Sequence, residues 1–326
     1  LSTGATTVAA LTAPVEKAKN QAMIRAVLAT TILAAVACGR SKGVPDQELG
    51  NLVVETTKPA PPIDVARAAK DPVELGRALM QPHRKVAAAV GAHTALLASK
   101  TTVDEGGKVV SDMSEQTKLE LGDKDTFHAE YTNTADYGRE AIFAGDKLYL
   151  RPRYQRWHRR APETVDEPLA LRDSFYSPVA ATWDLLAPGA ELTDQGATQV
   201  AGRAGRKIAV KLAPTPAKPA AETLTQRKWR ETRVVEELTG EIVLDDKGAP
   251  LAVKLAGTVS FMRDGRRFKM KTSLTSELSG LGTPVAITPP ADTDVVATPE
   301  RPREVDDRDF LLQGIAPPIR KAPEGP

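Results

Sequence analysis

Between residues 63 and 290 the spacing of apolar and polar positions switches from helical to alternating, back to helical and then to alternating again. Ile63 to about Lys70, Pro72 to Met80 and Pro82 to about Gly91 carry apolar residues at helical spacing, with Asp71-Pro72 and Gln81-Pro82 as boundaries. Val73, Leu75, Leu79, Val86 and Val90 are expected to form their apolar face. From Thr94 the period is two, and Ala95, Leu97, Ser99, Thr101 and Val103 alternate with their neighbours up to the turn Glu105-Gly106-Gly107-Lys108. Further strands are expected at Thr117 to Leu121, Phe127 to Thr132, Arg139 to Phe143 and Leu148 to Arg151, joined by Gly- and Asp-containing turns. They read as an antiparallel meander with one wet face.

A helical stripe returns in Pro168 to Ala187, where Leu171, Phe175, Val179, Trp183 and Leu186 are spaced four or three apart. Ser177-Pro178 divides it into two short helices. A short strand near Thr198 to Ala201 and a cleaner one at Lys207 to Leu212 follow, and Ala213 to Thr223, with three prolines, reads as a loop. The strongest signal comes next: strands Gly240 to Leu244, Leu251 to Arg263 and Arg267 to Leu278, the last two joined by Asp264-Gly265. Asp-Gly is favoured there because both central residues of a two-residue hairpin turn take positive φ. At roughly 3.3 Å per residue these strands reach about 40 Å, longer than the usual five or six residues. The fold class is therefore α+β, a strongly curved antiparallel sheet wrapped as a half-barrel over a few helices.

Upstream of that body, Ala26 to Ala37 is free of charge and preceded by Arg25. A run of about a dozen residues is too short for a bilayer span of roughly 20 and suits the apolar region of a signal peptide. Ala35-Val36-Ala37-Cys38-Gly39 resembles the lipobox of bacterial lipoproteins, with Ala35 where a large aliphatic residue is usual. The resemblance implies cleavage before Cys38, lipidation of its thiol, and, since Gly39 is not Asp, placement in the outer membrane facing the periplasm. Residues 1–22 precede Met23 and are expected to be an upstream extension, 23–37 the signal peptide, 38–62 the lipidated cysteine with a Pro-rich tether, 63–290 one domain, and 291–326 a largely disordered tail rich in Pro and charge.

Composition narrows the chemistry. Hydrophobic residues make up 41 % of the chain but aromatics only 4 %, so the core has to be built from Ala, Leu and Val. Lys plus Arg number 44 against 42 Asp plus Glu, a net charge of +2 that provides no basic field for nucleic acid. One cysteine allows no internal disulfide. The four histidines, His83, His93, His128 and His158, show no metal spacing, and no nucleophile elbow, phosphate loop or cofactor motif occurs. Asp245 and Asp246 read as turn residues. The reading is therefore of a binding protein with neither catalytic residues nor cofactor.

The most unusual segment is Tyr149 to Arg160, where Arg151, Arg153, Arg156, Arg159 and Arg160 are interleaved with Trp157 and two tyrosines. Forked guanidinium groups and amphipathic rings suit a lipid headgroup or a partner protein, whereas Glu163, Asp166 and Glu167 downstream would neutralise a merely solvated strand end.

The order of lipobox, tether, helices, meander, central helices and long hairpins resembles the superfamily of bacterial lipoprotein-localisation factors, mycobacterial lipid-binding lipoproteins and periplasmic sigma-factor regulator domains. That resemblance covers about residues 72–290 and implies an apolar cavity for acyl chains or lipidated polypeptides. Leu97, Leu119, Phe127, Tyr131, Phe175, Trp183, Val259, Phe261, Phe268 and Met270 are the expected lining. The alternative is an interaction or sensory module with the same fold and a filled core.

Overall fold

A computed structural model describes residues 61–297, and the expected signal peptide, Cys38 and most of the tether lie outside them. Three short helices come first: α1 (Val65–Ala68), α2 (Pro72–Leu79) and α3 (His83–Val90). Asp64 and Asp71 have extended backbones and accept hydrogen bonds from the first-turn amides of Arg67 and Val73, so each caps the helix it precedes. Pro72 sits at the first position of α2, where its missing N–H is not needed.

The buried face of α2 corrects the expected one. Leu75, Gly76, Ala78 and Leu79 are buried together with Glu74, whereas Val73 is 73 % exposed. Glu74 tolerates burial because Arg77 and the Asp64 amide both donate to its carboxylate, which holds its pKa below the ordinary value against the opposing effect of burial.

Six strands follow: β1 (Thr94–Glu105), β2 (Lys108–Leu121), β3 (Phe127–Asn133), β4 (Gly138–Ala144), β5 (Lys147–Pro152) and β6 (Trp157–Arg160). After α4 (Glu167–Tyr176) and α5 (Pro178–Leu186) come β7 (Ala190–Val200), β8 (Arg203–Leu212), β9 (Val234–Leu244), β10 (Pro250–Arg263), β11 (Arg266–Ser279) and β12 (Val295–Ala297). Among the described residues these form one open sheet in the order β12-β6-β5-β4-β3-β2-β1-β11-β10-β9-β8-β7. It is antiparallel throughout, except that β12 lies parallel to β6. Two meanders thus meet at a seam between β1 and β11, where Thr101 faces Thr272.

Consecutive strands β6 and β7 lie on opposite sides of that seam, far apart in the sheet order, so the chain between them has to cross one face. It does so as α4, packed on β2 and β3, and α5, packed on β10 and β11. Phe175, Val179, Trp183 and Leu186 form the buried stripe of the pair. Gly257 lies beneath α5, and a Cβ there would come within 2.7 Å of Leu186 Cδ2. Ser177 does not cap α5 as expected: its backbone is helical and its hydroxyl donates back to the Ser174 carbonyl.

Several strands are longer than the alternation shows; β2 begins at Lys108 rather than Thr117, beyond a register shift opposite Val103/Asp104. In β7 the register against β8 shifts between Asp194 and Gly196, where Gly196 takes φ +83, and this bulge interrupts the period that would have revealed residues 190–197. In β9 a shift opposite Thr258/Val259 hides residues 234–239 in the same way. A 3₁₀ segment, Thr225–Thr232, follows the expected loop and lays Trp229 on Phe261 at 4.4 Å between ring centroids. The hairpin turn at Asp264-Gly265 has the expected positive φ values, 52° and 74°. Strand β12 lies past the boundary placed at residue 290, so ordered structure continues into the expected tail as far as Ala297.

Candidate functional site

The expected lining residues separate into two groups. Leu97, Leu119, Phe127, Phe175, Trp183 and Val259 are each no more than 4 % exposed and fill the space between helices and sheet. Phe261 is 8 % exposed, and Tyr131, Phe268 and Met270 are partly buried at the margin of the same face. There Phe261 and Phe268 stack at 5.5 Å in register across β10 and β11.

Tyr131 belongs to a polar group that alternation alone does not reveal. Register places Ser99 beside Glu115, and Tyr131 on the next strand beside Arg139. Ser99 donates to one carboxylate oxygen of Glu115 at 2.9 Å and the Tyr131 hydroxyl donates to the other at 2.5 Å. Asn133 donates to the Tyr131 oxygen at 3.2 Å. Burial and the adjacent Glu115 charge push the Tyr131 phenol well above its ordinary value, so it stays a donor.

The arginine segment is drawn into pairings of its own. Arg151 meets Glu140 and lies over the Trp157 ring at 4.5 Å. Arg153 meets Asp136 at 3.3 Å and Arg159 meets Asp292 at 3.2 Å. Arg160 pairs with Glu167, and Arg156 donates to the Thr293 carbonyl. Trp157 is 5 % exposed, in a small cluster with Ile142, Ala144 and Tyr149 that Ile287 and Val295 complete. Register puts Trp157, Arg159 and Arg151 on the sheet face opposite Arg139 and the helices. Of these side chains, Arg156, Trp157 and Arg159 hold residues 287–297 against β6.

An apolar groove of about 720 Å³ lies between α2, α5 and the chain after β8, with Pro72, Val73, Met80, Trp183, Ala190 and Ala213 in its walls. Gly76 lets the two helices close at its floor, since a Cβ there would meet Trp183 Nε1 at 3.0 Å. Val73 and Met80 leave 73 % and 51 % of their surface exposed at the rim. Arg77, also in the lining, holds the Pro61 carbonyl at 2.6 Å, so the described chain starts beside this groove. None of the expected lining residues except Trp183 takes part in it. The sequence signal that points to it is Gly76 four residues after Pro72, a small residue where α2 and α5 approach closely.

Two histidines that are scattered in the sequence meet in the core. His83 and His93 are 1 % and 0 % exposed with their Nε2 atoms 2.9 Å apart. His93 Nδ1 faces the Gly91 carbonyl at 2.8 Å, so it carries the proton and leaves Nε2 as acceptor. His83 therefore donates from Nε2, and its buried Nδ1 is left without a partner. Burial and the nearby Arg172 charge lower the pKa of both rings, His83 the more strongly. Asp245, expected as an ordinary turn residue, is fully buried: it accepts from the Lys247 and Ala249 amides and pairs with Arg203 at 2.7 Å. Among the described residues no three His, Cys, Asp or Glu side chains are grouped so as to hold a metal, and no helix is long and apolar enough to cross a membrane.

No protein-family model and no curated protein matches the chain. Among solved structures it is similar to the lipoprotein LppX of Mycobacterium tuberculosis, 15 % identical over 67 % of this chain and 100 % of that one, with a TM-score of 0.27. LprF from Mycobacterium bovis is 13 % identical over 67 % and 98 %, with a TM-score of 0.24. The MucA/MucB complex of Pseudomonas aeruginosa matches at 17 % identity over 70 % of this chain and 59 % of that one, with a TM-score of 0.19.

Proposed function

We propose that this is a cell-envelope lipoprotein, anchored through Cys38 in the outer membrane, whose half-barrel body binds acyl chains or lipidated polypeptides non-covalently. The observation that carries the reading is the apolar groove of about 720 Å³ with two exposed hydrophobic side chains at its rim. Its size falls within the range of small-molecule sites, roughly 300–1,000 Å³. Each methylene buried contributes about 0.8 kcal/mol, so a single chain is held without chemistry. Tyr131, Phe268 and Met270 offer a partly open margin on the sheet itself.

Native mass spectrometry of the full chain extracted from membranes tests this. Co-purifying lipid is expected, and its loss in the Val73→Glu/Met80→Glu variant, whose changes fall on exposed positions, places it in the groove. Repeated isolation of the parent without lipid overturns the reading. Partition of Cys38→Ser into the soluble fraction tests the anchor separately. The filled space between helices and sheet favours a second reading, in which the groove docks a polypeptide partner; a bound peptide in the same spectra is its signature.

A further inference from the structure

Guanidinium groups that are largely withdrawn from water meet acids almost everywhere in this molecule. Arg84 pairs with Asp173 at 2.7 Å, Arg172 with Asp125 at 3.3 Å, and Arg230 with Asp184 at 2.6 Å. Arg139 is different. It stands on β4 directly across from Tyr131, on the helix-bearing face, and has no carboxylate within 4.0 Å among the described residues. Its one hydrogen bond is a long one, 3.4 Å to Ser174 Oγ, and its guanidinium lies 4.4 Å from the centre of the Phe175 ring.

Its neighbours are already committed. Glu115, the acid of the adjoining polar group, has one oxygen on Ser99 and the other on Tyr131. Ser174 sends its own proton to the Leu171 carbonyl at 2.6 Å, which leaves only its lone pairs for Arg139. A guanidinium has five N–H donors in a rigid fork, and among the described residues only one of them meets a protein acceptor. Arg139 is half-buried, and burial lowers its pKa, as expected of a guanidinium with no carboxylate beside it. The Phe175 face offsets part of that cost and fixes the plane of the fork.

We infer that Arg139 anchors an oxyanion site on the helix-bearing face, taking a carboxylate or phosphate group in forked hydrogen bonds beside Ser174 and Phe175. Such a group supplies the missing counter-charge and matches the fork bidentately. The site is separate from the α2–α5 groove, and its test stands whether or not that groove holds lipid. The anion is either a free one or the head of an amphiphile lying along the partly open margin of the sheet.

Isothermal titration of the full chain with inorganic phosphate, decanoate and methyl decanoate distinguishes these. Decanoate is expected to bind the parent, to bind Arg139→Gln about tenfold or more weakly, and to bind Arg139→Lys with an intermediate loss because the charge remains but the fork is gone. Phosphate binding with the same dependence on Arg139 identifies a free oxyanion as sufficient, and decanoate binding alone identifies an amphiphile head. Methyl decanoate, which has no charge, is expected to be insensitive to both variants. Equal decanoate binding by parent and both variants, or no binding of either anion to the parent, overturns the site. If Arg139→Gln does not fold, the Arg139→Lys comparison decides.

Discussion

At the base of the β1–β2 hairpin, Ala95, Leu97, Thr117, Leu119 and Leu121 are each no more than 5 % exposed, whereas Val109 and Val110 near its tip are 55 % and 50 % exposed. The same alternation runs through both ends of β1, yet Ser99, Thr101 and Val103 remain partly open where the helices stop. Period therefore assigns a face, and burial depends on whether something is packed against that face. At the base α4 packs on β2 and α5 on the neighbouring β11, whereas Val109 and Val110 at the tip are exposed.

The largest test of this contrast is truncation at matched positions. Leu119→Ala at the base is expected to cost about 2–5 kcal/mol in denaturant unfolding, because a fully buried side chain leaves a cavity. Val103→Ala toward the tip is expected to cost less than about 1 kcal/mol. Equal losses would mean that the tip is covered as thoroughly as the base.

Acid should weaken the base selectively. His83 and His93 have folded pKa values below the ordinary histidine value, so the unfolded chain binds protons first as pH falls. Their contribution is complete above about pH 6.5 and is lost as pH drops through the window below it, at up to about 1.4 kcal/mol per pH unit for each ring. Thermal melts between pH 7.5 and 5 are expected to show this decline, and a His83→Gln variant to show a shallower one. A flat profile in the parent would contradict the buried, neutral assignment.

A modest effect belongs to the open end of β10–β11. Gly265→Ala places a side chain at φ +74 with no neighbour within 4 Å, so only the left-handed backbone is penalised, about 1–2 kcal/mol. A loss much larger than that would reveal packing at the hairpin tip.

The sequence announces its long hairpins clearly, because Asp264-Gly265 and the alternation on either side of it agree. It also places α2 to α5 within a residue or two. The missed features have different causes: the first parts of β2, β7 and β9 adjoin bulges that break the period, whereas α2 buries the face on which Gly76 meets Trp183 and leaves Val73 outside. The site residues are less legible still. Arg151, Arg153, Arg159 and Arg160 stand out by composition but are spent on Glu140, Asp136, Asp292 and Glu167, while Arg139, unremarkable in sequence, is a half-buried guanidinium with no acid beside it among the described residues. Charge runs show where cations are dense, and only the fold shows which one lacks a partner.

The seam between β1 and β11 has a consequence for how the chain is made. Residues 94–105 must wait for residues 266–279 before the two meanders can join. Pairing over so long a stretch of chain is slow, because closure entropy is met before any contact is gained. Until β11 is available, β1 presents a free edge to any extended strand nearby. A chain of this design gains from being kept unfolded until β11 has been made, since the seam cannot close before then.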